Sequence, residues 1–228
     1  MLINGQDISV YNAKLVDKDI QTADVRTYTN WLSGALNYYV EHVDETYTFI
    51  KLVLAVEGLS EEEVLLNISN LVRSTKLCTI KFDNISFYFD CVLDSNTSKY
   101  LSNTCYQLEI NLKANFKYKD YITEAVSGAR TLNIQGNTSS LPALLEVKPM
   151  ANFANIQINL GGNLITLKNL ISGKTYIIDG EKYKVTVDGT NKYGDFDGSF
   201  PVLIPGNVNA SINTVYCNMN VKYKPRWY

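Results

Sequence analysis

Residues 107–118 read QLEINLKANFKY. Leu108, Ile110, Leu112, Ala114, Phe116 and Tyr118 alternate without a fault against Gln107, Glu109, Asn111, Lys113, Asn115 and Lys117. Successive side chains of a strand point to opposite faces, so the segment predicts a long strand with one apolar and one polar side. Such a strand belongs to an antiparallel sheet with one wet face. Working outward, Ile85, Phe87, Phe89, Cys91 and Leu93 keep the same period. With Ile80 and Phe82 before Asp83-Asn84 they predict a tight hairpin. A further strand is expected over 47–56. Residues 27–43 read as an extended arm or hairpin carrying Trp31, Tyr38, Tyr39 and the single histidine, His42.

The dry face of that sheet needs a cover, and one segment supplies it. SEEEVLLNISNLVRST, 60–75, opens with Ser60 and places Glu63 three residues on, the capping-box spacing. Glu61, Glu62 and Glu63 suit the positive end of the helix dipole, and Arg73 suits the other end. Val64, Leu65, Ile68, Leu71 and Val72 are expected to form one apolar stripe packed on the sheet.

The stretch 121–143 changes character, with Gly128, Gly136 and Pro142 among small residues. A boundary is expected at 125–135, dividing the chain into domains 1–128 and 129–228. Beyond it come short strands with no helix: 132–135, 144–147, 154–160, 164–170 after Gly161-Gly162-Asn163, 176–178, 183–187 and 217–223. Asp179-Gly180 reads as a hairpin turn with positive φ at the glycine. About eight strands in roughly 95 residues predict a β-sandwich of jelly-roll type. The fold class is mainly β with one helix.

Composition narrows the function. Of the 228 residues, 46% are hydrophobic and 19% charged, which supplies a core and argues against disorder. A net charge of −2 lacks the basic surplus of phosphate-gripping proteins. No run of about 18 apolar residues exists, so no spanning helix and no membrane insertion is expected. MLINGQDISVYNAK places Asp7 where a secretion signal would be apolar, so synthesis in a cytoplasm is expected. Cys78, Cys91, Cys105 and Cys217 show no paired spacing and read as small buried hydrophobes.

Chemistry is hard to find. A lone histidine outside any G-x-S-x-G context gives no triad. The cysteines lack zinc spacing, and no phosphate-cradling glycine loop is present. The densest cluster is VDGTNKYGDFDGS, 187–199, where Asp188, Asn191, Asp195 and Asp197 offer oxygen ligands for Ca²⁺ or a carboxylate pair for glycoside hydrolysis. Its spacing fits neither an EF-hand nor anything beyond turn formers. No catalytic, metal or cofactor-binding residue is therefore assigned, no cofactor is expected, and a non-enzymatic role is favoured.

The two ends of the chain carry a resemblance. Gly198, Phe200, Pro201, Leu203, Pro205, Gly206 and Asn207, then Val221, Tyr223, Pro225, Arg226 and Trp227, resemble the C-terminus of siphophage distal tail proteins of phages infecting Gram-positive bacteria. Ile3-Asn4-Gly5 followed by Asp7-Ile8-Ser9 is similar to that family's opening strand and turn. The resemblance implies an N-terminal tail-tube-like belt domain that closes a hexameric ring. It also implies a C-terminal galectin-like sandwich that anchors host-binding components. The implied partners are further copies of the chain, the tail tube protein, a tail-associated hub protein and receptor-binding proteins, with DNA only in transit through the channel. The implied location is the tail tip of the virion. In this sequence Pro205-Gly206 is expected to turn with positive φ at Gly206, Pro225 to end the last strand's pairing, and Arg226-Trp227 to dock at a boundary between domains or subunits. A carbohydrate-binding sandwich for cell-wall saccharide is the alternative, since 16 tyrosines could stack on sugars. A wall-degrading enzyme and a tail-tube subunit are weaker alternatives.

Overall fold

The structure is a computed structural model that describes residues 1–23, 25–45 and 47–228, with only the backbone of Val25 and Glu45. The chain forms two compact units, Met1–Tyr118 with Tyr228, and Lys119–Trp227. It is mainly β, with a single α-helix among the described residues. The division falls after residue 118, where the sequence reading set it after 128. Ile122–Val126 pairs along its whole length with Cys217–Tyr223, from Ile122↔Tyr223 to Val126↔Met219, so it opens the second unit. Gly128, with φ +71°, turns the chain inside that unit and marks no boundary.

The first unit is built on one antiparallel sheet in the order Gln6–Asp7, Leu2–Ile3, Leu77–Lys81, Tyr88–Ser102, Cys105–Tyr118, Thr48–Glu57, Ala13–Gln21. Its register sets Leu54 opposite Leu108, Leu52 opposite Ile110, Ile50 opposite Leu112 and Ile80 opposite Phe89. All eight are buried, so the alternation read from 107–118 does set the core face. Each such side chain contributes about 1.5–3 kcal/mol when taken out of water.

The helix Glu61–Ser74 covers that face through Val64 and Leu71, with Ile68 and Val72 partly buried. Leu65 departs from expectation and is 48% exposed. One residue advances about 100° round a helix, and the sheet accepts only the row 64, 68, 71, 75 and its flank. Ser60 Oγ accepts from Glu63 N at 3.3 Å, as the capping box requires, while Glu63 Oε2 accepts from Leu59 N at 2.8 Å instead of from Ser60 N. The hairpin expected at 83–84 closes earlier, at Lys81↔Tyr88. Phe82 is 1% exposed and Ile85 and Phe87 pack against the core, so burial turns 82–87 into a folded loop rather than a tight turn.

The second unit is a sandwich. One sheet runs Ile122–Val126, Cys217–Tyr223, Leu141–Pro149, Tyr176–Asp179, Lys184–Val187, Thr190–Asn191, and Val202–Leu203 pairs with the start of Leu141–Pro149. The other runs Ala129–Ile134, Gly206–Ile212, Phe153–Leu160, Asn163–Leu170, Phe196–Gly198. Leu145, Val147, Ile178, Met219 and Val221 of the first sheet share one core with Ile156, Ile158, Ile165 and Leu167 of the second. Two sheets that cover each other's apolar faces need no helix.

Candidate functional site: an exposed arm and a fastened sandwich

Val25–Asn30 and Tyr39–Glu45 form a two-stranded sheet of their own, paired from Val25↔Glu45 to Asn30↔Tyr39. This is the arm expected at 27–43. Tyr28 stacks on His42 with ring centroids 4.3 Å apart, and His42 Nε2 lies 3.9 Å from Asp44 Oδ2. The single histidine thus serves inside the hairpin. Trp31 is 60% exposed and Leu36 95%, and Leu32, Tyr38, Tyr39, Val40 and Val43 are exposed as well. An isolated two-stranded hairpin is marginal in water, and this concentration of apolar surface on one marks an interaction element.

The polar face of the first unit's sheet carries charges that cancel. Lys51 Nζ lies 2.9 Å from Glu109 Oε2, and Lys113 Nζ lies 2.6 Å from Asp94 Oδ1. Hydrogen bonding to Glu109, then the charges of Glu109, Asp17 and Asp19, push Lys51 above its ordinary pKa. Strongly held, locally neutralised lysines make a poor phosphate grip.

Of the aspartates of 187–199, Asp188 and Asp195 line one cavity and Asp197 is not part of its lining. Asp188 pairs with Lys174 at 2.8 Å and accepts from Thr175 N at 3.0 Å. These bonds, that to Lys174 first, hold its carboxyl below the usual value. Asp195 accepts from Asn169 Nδ2 at 2.8 Å with Lys192 at 3.9 Å, and Asp197 faces Lys168 at 3.7 Å. Each carboxylate has its own lysine, and no group of three metal-ligating side chains occurs among the described residues.

The end motifs have definite places. Ile3 is buried against the neighbouring strand, opposite Ile80. Asn4 (φ +53°) and Gly5 (φ +78°) make the turn between Leu2–Ile3 and Gln6–Asp7, the Asn-Gly pairing that a type I′ hairpin favours. Asn4 also clamps the next strand: its N–H donates to Thr79 O at 2.8 Å, and its Oδ1 accepts from Thr79 N at 2.9 Å. In the sandwich, Gly206 has φ +108° after Pro205, as expected. Gly180 does not have the positive φ expected of it; Tyr183 does, at +51°. Asp179 and Lys184 close a four-residue loop in which Asp179 Oδ1 accepts from the N–H groups of Glu181 and Lys182. The glycine is there for space, since a Cβ at 180 would lie 2.2 Å from Pro201 O and 2.8 Å from Ala143 O. Arg226 reaches the same loop through Glu181, and its carbonyl accepts from Asn137 N at 3.0 Å. Pro225 O accepts from Lys119 N at 3.1 Å, and Lys119 Nζ sits 5.5 Å from the Trp227 ring centroid. Pro201, Gly180, Glu181 and Arg226 therefore form one fastening of the sandwich. The sequence reading had the motif ends but missed Gly180 as its seat.

Residues 135–227 match the family model described as siphovirus-type tail component, C-terminal domain. The resemblance of the whole chain to siphophage distal tail proteins is borne out alongside it. The fold of the full chain matches the crystal structure of SPP1 Dit, described as a paradigm of the hub adsorption apparatus in phages infecting Gram-positive bacteria. The TM-score is 0.81 at 11% identity, with 100% of this chain and 98% of that chain covered. A chain of the phage p2 baseplate in its activated conformation with Sr matches with TM-score 0.56 and 10% identity over 95% of this chain and 92% of that one, and the form with Ca matches equally. No curated protein matches this chain in sequence.

Proposed function

We propose that this tail component is a distal tail protein: a structural, non-catalytic subunit that closes a hexameric ring at the tip of the phage tail. The observation that carries the reading is the likeness of both units together to a Dit chain over nearly its whole length, joined to the family match of the C-terminal domain. The N-terminal unit is the ring-forming belt. Its aromatic arm supplies apolar surface for burial on a neighbouring copy, and a closed ring of identical heterologous contacts uses one such arm per subunit. The polar sheet face, with Lys51 and Lys113 neutralised by Glu109 and Asp94, suits a channel that DNA crosses without adhering. The ring would join the tail tube protein on one side and a tail-associated hub on the other, with receptor-binding proteins carried by the sandwich. The protein would be made and assembled in the host cytoplasm and leave it in the virion.

Size-exclusion chromatography with light scattering and negative-stain imaging of concentrated protein test this. Six-fold rings, and the protein in purified particles, are expected; absence from particles overturns the reading.

A second reading, saccharide binding by the sandwich, has one observation in its favour. Tyr183 is 70% exposed and, with Tyr193, packs round Phe200 at centroid distances of 5.3 and 6.1 Å. Exposed rings of this kind offer faces for sugar C–H groups. Binding of residues 119–227 to host cell walls, lost in Tyr183→Ala, would support it.

A further inference from the structure

The cysteines read from sequence as inert fillers include one pair with a different prospect. Cys78 lies in Leu77–Lys81 and Cys91 in Tyr88–Ser102, and the register places them directly opposite each other. Both are buried, Cys78 at 4% and Cys91 at 0% exposure, within the core under the helix. Two residues further along the same register, Leu93 N donates to Lys76 O at 3.2 Å. Pairs that exchange backbone hydrogen bonds recur every second residue in an antiparallel ladder, so 78 and 91 are such a pair. Facing Cα atoms at such positions are about 5.5 Å apart. That value falls at the low edge of the most frequent Cα separation across disulfides, about 5.5–6 Å. The Cys91 thiol donates to Phe89 O at 3.5 Å within its own strand. The neighbouring thiol holds Cys78 below the ordinary thiol value and Cys91 above it, which makes Cys78 the readier thiolate.

Access comes from the edge of the sheet. Leu2–Ile3 pairs with this strand only at Ile80 and Lys81, and Asn4 reaches Thr79. Leu77 and Cys78 have no further strand beside them among the described residues. A local opening of that strand end exposes Cys78 without unfolding the unit.

We propose that Cys78 and Cys91 form a cross-strand disulfide when the protein meets a low-molecular-weight disulfide such as oxidised glutathione. The Cys78 thiolate attacks one glutathione sulfur, and the departing glutathione thiolate takes up the proton that Cys78 released. The Cys91 thiolate then attacks the Cys78 sulfur of the mixed disulfide, and the second glutathione leaves with the second proton. The two protein thiols are oxidised to one disulfide, and one glutathione disulfide is reduced to two glutathione molecules. The bond would tie the strand that follows the helix to the longest strand of the sheet. On the assembly reading above, it would form once particles leave the reducing cytoplasm; the disulfide itself does not depend on that reading.

The test uses the full chain. Protein is equilibrated in glutathione buffers from reducing to oxidising, quenched with iodoacetamide in denaturant and digested with trypsin without reduction. Peptide 77–81 is expected joined to peptide 82–99 in the oxidising buffers, with a loss of two hydrogen masses. The thermal midpoint of the oxidised protein should lie several degrees above that of the reduced protein, with no such difference in Cys78→Ala or Cys91→Ala. Recovery of both peptides separately alkylated or carrying glutathione would overturn the proposal, as would a linkage through Cys105 or Cys217. Because the wild type carries the main readout, a poorly folding variant leaves the proposal falsifiable. Ring formation is measured separately, so failure here and failure of the assembly reading are distinct results.

Discussion

The two units solve the same problem in different ways. In the C-terminal unit two sheets cover one another, and Pro201, Gly180, Glu181 and Arg226 meet at one close-packed corner. In the N-terminal unit one sheet is covered by one helix, its other face is wet, and its arm holds Trp31, Leu32, Leu36, Tyr38 and Tyr39 in solvent. A sandwich completes its own core. A sheet with an aromatic arm leaves apolar surface for another molecule, and the difference separates a part that folds for itself from a part that folds for an assembly.

The largest effect is expected at the arm. Replacing Trp31, Tyr38 and Tyr39 together by Ser should abolish ring formation in light scattering while moving folding stability by no more than about 0.5 kcal/mol, as exposed positions do. Rings that survive the substitution would break the contrast between the units. The next effect belongs to the sandwich. Gly180→Ala drives a methyl group into two backbone carbonyls that cannot swing away. Overpacking against backbone should cost about 3 kcal/mol. In calorimetry the C-terminal transition should fall and the N-terminal one stay; a shared shift would show that the two units do not melt independently.

A smaller and opposite signature comes from the helix. Ser60→Ala removes the acceptor for Glu63 N and should cost about 1 kcal/mol, read as a lower midpoint of the N-terminal transition alone. The smallest effect is acid sensitivity at Asp188. Its folded pKa is depressed below 3.8, so its stabilising contribution is complete above that value and is lost as pH falls through the lower folded value. Wild type should exceed Asp188→Asn in midpoint at pH 6, and the gap should close in strong acid. A gap that is constant with pH would show that the charge of the Asp188 carboxylate is not the source of the effect.

Much of this architecture was legible in the chain. Period-two alternation at 108–118 and 217–223 marked strands because the side chains of a strand alternate by geometry alone, whatever lies across from them. The capping pattern at Ser60 and Glu63 was legible for the same reason, being satisfied within a few residues, whereas the turn at Asn4-Gly5 was reached through the family resemblance. What failed to show was set by distant neighbours. Leu65 fits the helical period but meets no sheet, and Phe82 looks like a strand residue until the core draws it inward.

The amino-acid sequence by itself determined the helix, most of the strands and the buried face of the long ones, since these depend on side-chain chemistry and local period. Only tertiary structure decided that Gly180 is needed for room beneath Pro201 O, that each loop aspartate is claimed by its own lysine, and that Cys78 faces Cys91. Those facts depend on segments far apart in the chain meeting at a defined register, and no local pattern carries that information.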